Sequence, residues 1–553
     1  MATVTVIGAG VGGLATAARL AAAGHKVTVF EQAATAGGKL GRHERVTDAG
    51  TFRFDTGPSL FTLPQVAAEL FAHTGGPAPE LDLVALDPLV RHRFPDGTTL
   101  DSCAGAGFED RIAATFGAGA ADDWRRLWQR AARVWETSWR HVLTAPVDNP
   151  LQLAGLAWRL RDLAAIAPGQ TLRGLGRRHL RDPRLRMLLD RYATYTGADP
   201  RRAPAALLAI PYAELAFGGW YIRGGLGTLA DALLARCAAL GVTVHLGTPV
   251  ESVLVEGPRA AGVVLAGGTT VRSDLVVANA DALHVYRDLL PSPRRAAGLR
   301  RRSLGGFVLL LGVRGTTPDL AHHTVFFPRD YDAEFDAIFG TPARPPDDPA
   351  VFVTAADDPA ARPAGHEAWF VLVNAPPHGD SGNLASRSPG GSSQASFSSS
   401  RASGAFSRDS SSSSRASGSA SRGSGSSSQG SGSSSQGSGS VSRGSGDFDW
   451  RAPGVADAYA DHVLSILAAR GADVRDRLLF RDVLTPADLE TSTHSPGGAI
   501  YGTASHGLTG LLRPPTRGAV RDLFLVGGSV HPGGGLPLVM LSAKIVADRI
   551  GPA

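Results

Sequence analysis

The first thirty residues follow a pattern that a single local structure accommodates. Val4, Val6 and Ile7 form a short β-branched run, and Gly8-Ala9-Gly10-Val11-Gly12-Gly13 interrupts it. Leu14, Ala17, Ala18 and Leu20 then recur at helical spacing up to Gly24, before a second apolar run, Val27-Thr28-Val29-Phe30, ends on Glu31. The pattern predicts strand, glycine turn, helix and strand, with an acid closing the second strand. The far end repeats the logic. Leu523–Val526 reads as a buried strand that enters Gly527-Gly528-Ser529-Val530-His531-Pro532-Gly533-Gly534-Gly535, and a helical pattern then runs to about Arg549.

Between these ends the texture changes. Thr51-Phe52-Arg53-Phe54 predicts a strand leading into Asp55-Thr56-Gly57-Pro58-Ser59, but from about Gln65 to Ala213 helical periodicity dominates. Trp124, Trp128, Trp135 and Trp139 share one helical face, which suits either a helical core or an aromatic wall against a long apolar ligand or a membrane interface. Leu151–Ile166 reads as a basic amphipathic stretch, suited to an anionic membrane surface or to a solvated helix face, and arginines cluster from Arg173 to Arg191. Strand-like segments follow at Val242–His245, after Pro249-Val250, and at Asp274–Val277 before Ala278-Asn279-Ala280-Asp281. Phe307–Val313 predicts sheet. His322-His323 has no carboxylate at metal-ligand spacing and reads as a strand-edge pair, so no metal site is expected.

Composition refines this picture. At 553 residues, two or three domains are expected. Only Cys103 and Cys237 are present, so no disulfide framework or cysteine-based zinc site is expected. The formal net charge of +5 hints at nucleic acid, yet Ser381–Gly446 holds six arginines against one acid, Asp409, and accounts for all of it. The remaining chain is neutral, and no nucleic-acid partner is expected. That Ser/Gly/Arg-rich segment lacks the apolar content to offset chain entropy and is expected to be a disordered insertion in a surface loop. The apolar N-terminus lacks a charged leader region, and no run approaches the length of a spanning helix.

The two glycine turns carry the chemistry. Gly8 permits a tight turn off the strand, Gly10 lets backbone approach a diphosphate, and Gly13 lets helix and sheet pack closely. The helix N-terminus favours the diphosphate charge, and Glu31 stands where an acid accepts from ribose hydroxyls. Gly37-Gly38-Lys39 adds a second glycine pair that a nicotinamide enzyme does not need. The arrangement resembles the two-dinucleotide-binding flavoproteins, in which this pair passes close to the cofactor, and that resemblance implies FAD. At the C-terminal turn, Gly533, Gly534 and Gly535 allow a flavin ring to lie against backbone, and the helix that follows aims its positive end at the crevice.

With both ends read, the chain resembles the bacterial carotenoid desaturases of the phytoene desaturase type. The motifs that carry this are the N-terminal dinucleotide turn with Gly37-Gly38-Lys39, Asp55–Ser59, Arg191–Ala205, Trp220–Gly227, Ala321–Phe339 and Phe524–Pro537. The resemblance implies an α/β fold: a two-dinucleotide-binding, Rossmann-like FAD domain (1–64, 215–302, 485–553) and a helical membrane or substrate-entry region (65–214). It also implies a mixed-sheet substrate domain (303–380, 447–484) interrupted by the insertion at 381–446. Gly57, Pro58, Val250, Gly527 and Gly528 are implied as further FAD contacts, with Val250 offering backbone to the adenine. One departure is Gly528-Ser529, where many relatives place an acid after the C-terminal strand.

The implied reaction is dehydrogenation of a C–C bond in an acyclic C40 polyene, with FAD supplying the redox chemistry. The wording VHPGGGLPLV leans toward enzymes that act on the 3,4 bond of 1-hydroxylated carotenoids. Phytoene desaturation, carotene isomerisation, ketolation and a non-enzymatic carotenoid-binding role are the alternatives. His531, in the turn nearest the expected ring, is the candidate for a polar catalytic contact. A hydrocarbon substrate implies peripheral attachment to the inner face of the cell membrane. Oligomeric state is not legible.

Overall fold

The computed structural model describes residues 1–76, 81–148, 152, 160–379, 448–507, 510 and 512–553. The insertion expected at 381–446 and half of the amphipathic stretch at 151–166 lie outside the described residues.

The N-terminal pattern folds as it reads. Thr3–Ile7 and Lys26–Phe30 are parallel strands joined through the helix Val11–Ala22. That helix is buried from Val11 to Leu20, because the strands lie on one side and the helices Gly227–Ala239 and Leu536–Ile550 pack on the others. Its small residues are what allow three neighbours to approach at once. Arg19 is buried with them and is neutralised by Glu69.

Segments distant in sequence complete this sheet. Its order is Leu523–Leu525, Leu275–Ala278, Thr3–Ile7, Lys26–Phe30, Thr243–His245, and every pairing is parallel. The chain leaves Thr3–Ile7 toward one edge and later adds Leu275–Ala278 on its other side. A crevice therefore opens beyond the carboxyl ends of these two strands, as it does wherever a parallel sheet changes direction. Gly8 sits at one lip, with φ +93°, and Asn279 at the other.

A second, seven-stranded sheet runs Leu478–Leu484, Gly305–Arg314, His366–Ala375, Val351–Ala355, His323–Phe326, Val90–Arg93, Thr99–Ser102. Its pairings are antiparallel except that of His323–Phe326 with Val90–Arg93. Gly305–Arg314 is buried on both faces: Phe307, Leu309 and Leu311 pack against Trp450 and the helix Val455–Ala469, and Val308 and Leu310 against Phe52 and Phe54. His323 corrects one expectation. It lies in an interior strand and is fully buried, not at a strand edge.

The helices Gly107–Phe116, Ala118–Ser138, Leu172–His179, Pro183–Arg191 and Ala209–Phe217 pack into one core that they share with residues of the seven-stranded sheet such as Val90, Leu100 and Val325. The tryptophans divide their roles. Trp124 packs edge-on against Phe108 at 5.2 Å, Trp128 meets Tyr212 at 4.6 Å, and Trp135 pairs with Trp139 at 5.1 Å. Of the four, only Trp135 reaches the cavity described next. Among the described residues no helix is long and apolar enough to cross a membrane.

Candidate functional site

A cavity of about 900 Å³ starts in the crevice of the parallel sheet and extends between the helical region and the seven-stranded sheet. Its first half is built from the two glycine turns. Gly8, Gly10, Glu31, Gly38, Lys39, Gly57, Pro58, Val250, Gly527, Gly528, Gly533, Gly534 and Gly535 all line it. Two of the singled-out residues do not.

Gly13 works underneath. A Cβ there would lie 2.0 Å from the Gly8 carbonyl oxygen, so the helix seats on the turn only because this residue has no side chain. His531 corrects the candidate polar contact. It is buried, and its Nε2 meets the Ala145 carbonyl at 2.8 Å, so the ring ties the C-terminal turn to the helical region. Burial lowers its pKa, against the opposing carbonyls of Ala145 and Val142.

The residues fit a dinucleotide. The Glu31 carboxylate is fixed by backbone, accepting from Ala9 N at 2.6 Å and Ala33 N at 2.8 Å, and it faces the cavity from the end of its strand. A Cβ on Gly38 would stand 3.1 Å from Gly10 Cα, so the two glycine turns touch without side chains between them. Gly533 and Gly535 have positive φ; a Cβ on Gly535 would stand in open space and one on Gly533 would touch only Leu538 Cδ1 at 3.7 Å, which leaves backbone facing the cavity. Asp55 supports the crevice from behind: its carboxylate accepts from Leu226 N at 2.7 Å and Gly227 N at 3.0 Å at the start of the helix Gly227–Ala239. Ser529, just after the C-terminal strand, accepts from Ala282 N at 2.9 Å.

Asn279 is the residue that sequence reading passed over. Its side chain lies where a Cβ on Gly10, Gly12 or Gly527 would be, at 2.8, 2.7 and 2.6 Å respectively, and its amide donates to the Val526 carbonyl at 3.1 Å. One side chain thus clasps both glycine turns. The strand end Ala278-Asn279-Ala280-Asp281 was the available signal, but nothing in its spacing marks which neighbour the amide reaches.

Behind the crevice sits a buried charge cluster. Asp281 and Arg302 pair at 2.7 Å with almost no exposure, and Lys39 Nζ donates to the carbonyls of Ile500 at 2.8 Å and Ala499 at 3.1 Å. Burial pulls the Lys39 ammonium down to about 8, although the Asp281 carboxylate opposes this. Burial also works against ionisation of Asp281, but Arg302 and Lys39 hold its pKa below the ordinary carboxylate value.

The cavity's other half is mostly hydrocarbon, including Val142, Leu143, Leu207, Ile210, Val308, Val325, Phe370 and Leu372. A few polar groups break this surface. Arg191, Tyr195, Glu214, His323 and Tyr331 line it together, with Glu214 accepting from Tyr192 Oη at 2.9 Å and Tyr195 Oη at 3.0 Å.

Residues 11–363 match the family described as flavin containing amine oxidoreductase. The chain belongs to that family. It is an FAD-dependent oxidoreductase with the flavin amine oxidase fold, and FAD is its cofactor. The relatives narrow the branch. The chain is 29% identical to 4,4'-diapolycopene oxygenase of Methylomonas sp over 99% of this chain and 97% of that one. It is 29% identical to 1-hydroxycarotenoid 3,4-desaturase of Flavobacterium sp. (strain P99-3) over 99% and 98%. With hydroxyneurosporene desaturase of Rubrivivax gelatinosus it shares 31% over 99% and 93%. The fold also matches a solved oxidoreductase from Methanosarcina mazei, with a TM-score of 0.58 and 15% identity, covering 99% of this chain and 100% of that one. The resemblance to carotenoid desaturases read from the motifs thus extends over essentially the whole chain.

Proposed function

We propose that this family member is a desaturase of acyclic carotenoids, acting on the 3,4 bond of a 1-hydroxylated substrate. The observation that carries the reading is the continuity of one cavity from the glycine-lined dinucleotide crevice to a hydrocarbon-lined chamber. Bound FAD supplies the two-electron acceptor. Gly533 to Gly535 present backbone to its ring, Glu31 and the N-terminal turn hold the nucleotide end, and the apolar half excludes water while aligning a rod-like polyene. Removing hydrogen from neighbouring carbons is then chiefly a matter of orientation. Lys39 lines the crevice with its ammonium donating to the Ala499 and Ile500 carbonyls and its pKa lowered by burial, which makes it a candidate to hold or pass a proton.

Two of the relatives named above carry desaturase in their names together with a hydroxylated carotenoid, which favours this substrate over phytoene. The test is a pigment assay. The FAD-loaded protein in liposomes receives phytoene, lycopene and 1-hydroxylated acyclic carotenoids in parallel, and the absorption spectrum is followed. A red shift confined to the hydroxylated substrates supports the reading, and a shift with phytoene moves the enzyme to an earlier bond.

A second reading draws on the oxygenase relative: oxidation at a terminal carbon of the polyene. It predicts a product that has gained oxygen, whereas desaturation predicts a loss of two hydrogens, and mass spectrometry separates them. Such a substrate is held in a bilayer, so the protein is proposed to work at the inner surface of the cell membrane without spanning it. Co-sedimentation with vesicles tests that.

A further inference from the structure

The hydrocarbon half of the cavity contains two buried side chains with a polar atom left unpaired. Arg191 Nη1 and Tyr331 Oη have no hydrogen-bond partner, and each residue is more than nine-tenths buried in the cavity wall, beside the His323 ring, which faces the backbone of Leu89 and Ser59. They form one group. The Arg191 guanidinium lies 5.4 Å from the centre of the Phe352 ring, and the His323 ring stacks on the same Phe352 at 5.5 Å and 20°. Arg191 and Tyr331 are close enough to act on each other electrostatically.

Leaving one buried polar atom unpaired costs about 1–3 kcal/mol. Two together in a wall made largely of hydrocarbon point to a polar atom supplied from outside the chain. The charge balance says what kind. Glu214, buried in the same wall, acts electrostatically on Arg191, and Tyr192 and Tyr195 already occupy the Glu214 oxygens, so the cluster does not call for an anion. What it offers is hydrogen-bond donors, Arg191 Nη1 and Tyr331 Oη, toward a neutral oxygen.

We propose that Arg191 and Tyr331, with His323 beside them, form an anchor for an uncharged oxygen substituent at the end of the polyene, setting how far the substrate enters the cavity. The proposal rests on the carotenoid reading of this cavity and adds the residues that select an oxygenated end. A hydroxyl or a carbonyl oxygen would meet the same donors.

The test measures binding apart from turnover. FAD-loaded protein in vesicles is titrated with a 1-hydroxylated acyclic carotenoid and with the hydrocarbon of the same conjugation length, reading quenching of flavin fluorescence. A ketone of that length forms a third arm. The wild type is expected to bind the hydroxylated compound on the order of tenfold more tightly than the hydrocarbon. Tyr331→Phe removes only an unpaired hydroxyl and is expected to fold normally while losing several-fold of that preference; Arg191→Met should abolish it. A wild type without preference, or a preference undiminished in Tyr331→Phe, overturns the anchor. Comparable gains for ketone and hydroxyl support an oxygen anchor of either kind. If the preference is present but no desaturated product forms, the anchor stands and the desaturase reading falls.

Discussion

Gly10 carries two independent reasons to be a glycine, and they can be pulled apart. Its backbone is ordinary extended chain, with φ −69° and ψ 170°, so alanine meets no conformational strain there. A Cβ would, however, sit 2.8 Å from Asn279 Oδ1, well inside contact distance. Gly10→Ala should therefore destabilise the protein by about 1–3 kcal/mol through overpacking. Asn279→Ala should cost a similar amount, because it strips the Val526 carbonyl of a donor now at 3.1 Å. Since the first change collides with the group that the second removes, the double variant should be more stable than the sum of the single losses predicts, by about 1–2 kcal/mol. Urea unfolding of the four proteins without added FAD measures this coupling. The ratio of flavin to protein after purification reads the second reason. If the turn lies against a diphosphate, the double variant regains its fold but not its flavin, while Asn279→Ala alone keeps more of it. Strictly additive losses would refute the shared-space argument, and full flavin loading of the double variant would remove Gly10 from the diphosphate path.

Glu334 provides a pH test. Buried and accepting from Ala350 N at 2.6 Å and Asn374 Nδ2 at 2.7 Å, its carboxyl is raised by burial from 4.5 to about 7. A raised carboxyl contributes stability that is complete below 4.5 and lost as pH climbs through about 7. Glu334→Gln should therefore flatten the wild-type decline in urea midpoint across that window, a difference on the order of 3 kcal/mol, and parallel profiles would contradict it. Asp281→Asn should leave Arg302 and Lys39 buried with much less counter-charge, costing about 3–5 kcal/mol and most of the bound flavin; a stable yellow variant would count against the cluster's role. His531→Gln should keep conversion within a few-fold of wild type, because its ring serves the Ala145 carbonyl, and an inactive but folded, flavin-loaded variant would restore it as a catalytic candidate. Replacing 380–447 by a short Gly/Ser linker should preserve fold and turnover, since Gly379 N already bonds the Phe448 carbonyl at 3.1 Å; loss of activity with an intact fold would give that insertion a function.

Local pattern revealed most of the crevice. Strand, turn and helix at the N-terminus, and the glycines at the C-terminus, are set by short-range rules, because φ above zero and close backbone approach demand glycine whatever the distant chain does. What escaped reading were contacts made across hundreds of residues. Asn279 sits in an unremarkable strand end, and its importance comes from touching residue 10 and residue 527 at once. His531 looked chemical because it lies in the right turn, yet its ring points out of the crevice toward Ala145. His322-His323 read as a strand edge because sheet order is invisible in sequence: only the parallel pairing with Val90–Arg93 places it inside. Arg191 lay in a noted motif, but no periodicity shows that one of its nitrogens lacks a partner.

The sheet order has a consequence for how the protein is made. Leu523–Leu525 is an outer strand of the parallel sheet, and Leu536–Ile550 covers the helix that follows the first glycine turn. Residues 3 to 30 therefore leave the ribosome early with their apolar helix uncovered, and they must wait for nearly five hundred further residues before the Asn279 clasp can close. During synthesis the nascent chain has half a cradle and an exposed apolar flank, the condition under which chaperones are engaged. Flavin capture is expected to wait for that outer strand, so a chain cut short of Leu523 should yield colourless protein however intact its N-terminal turn.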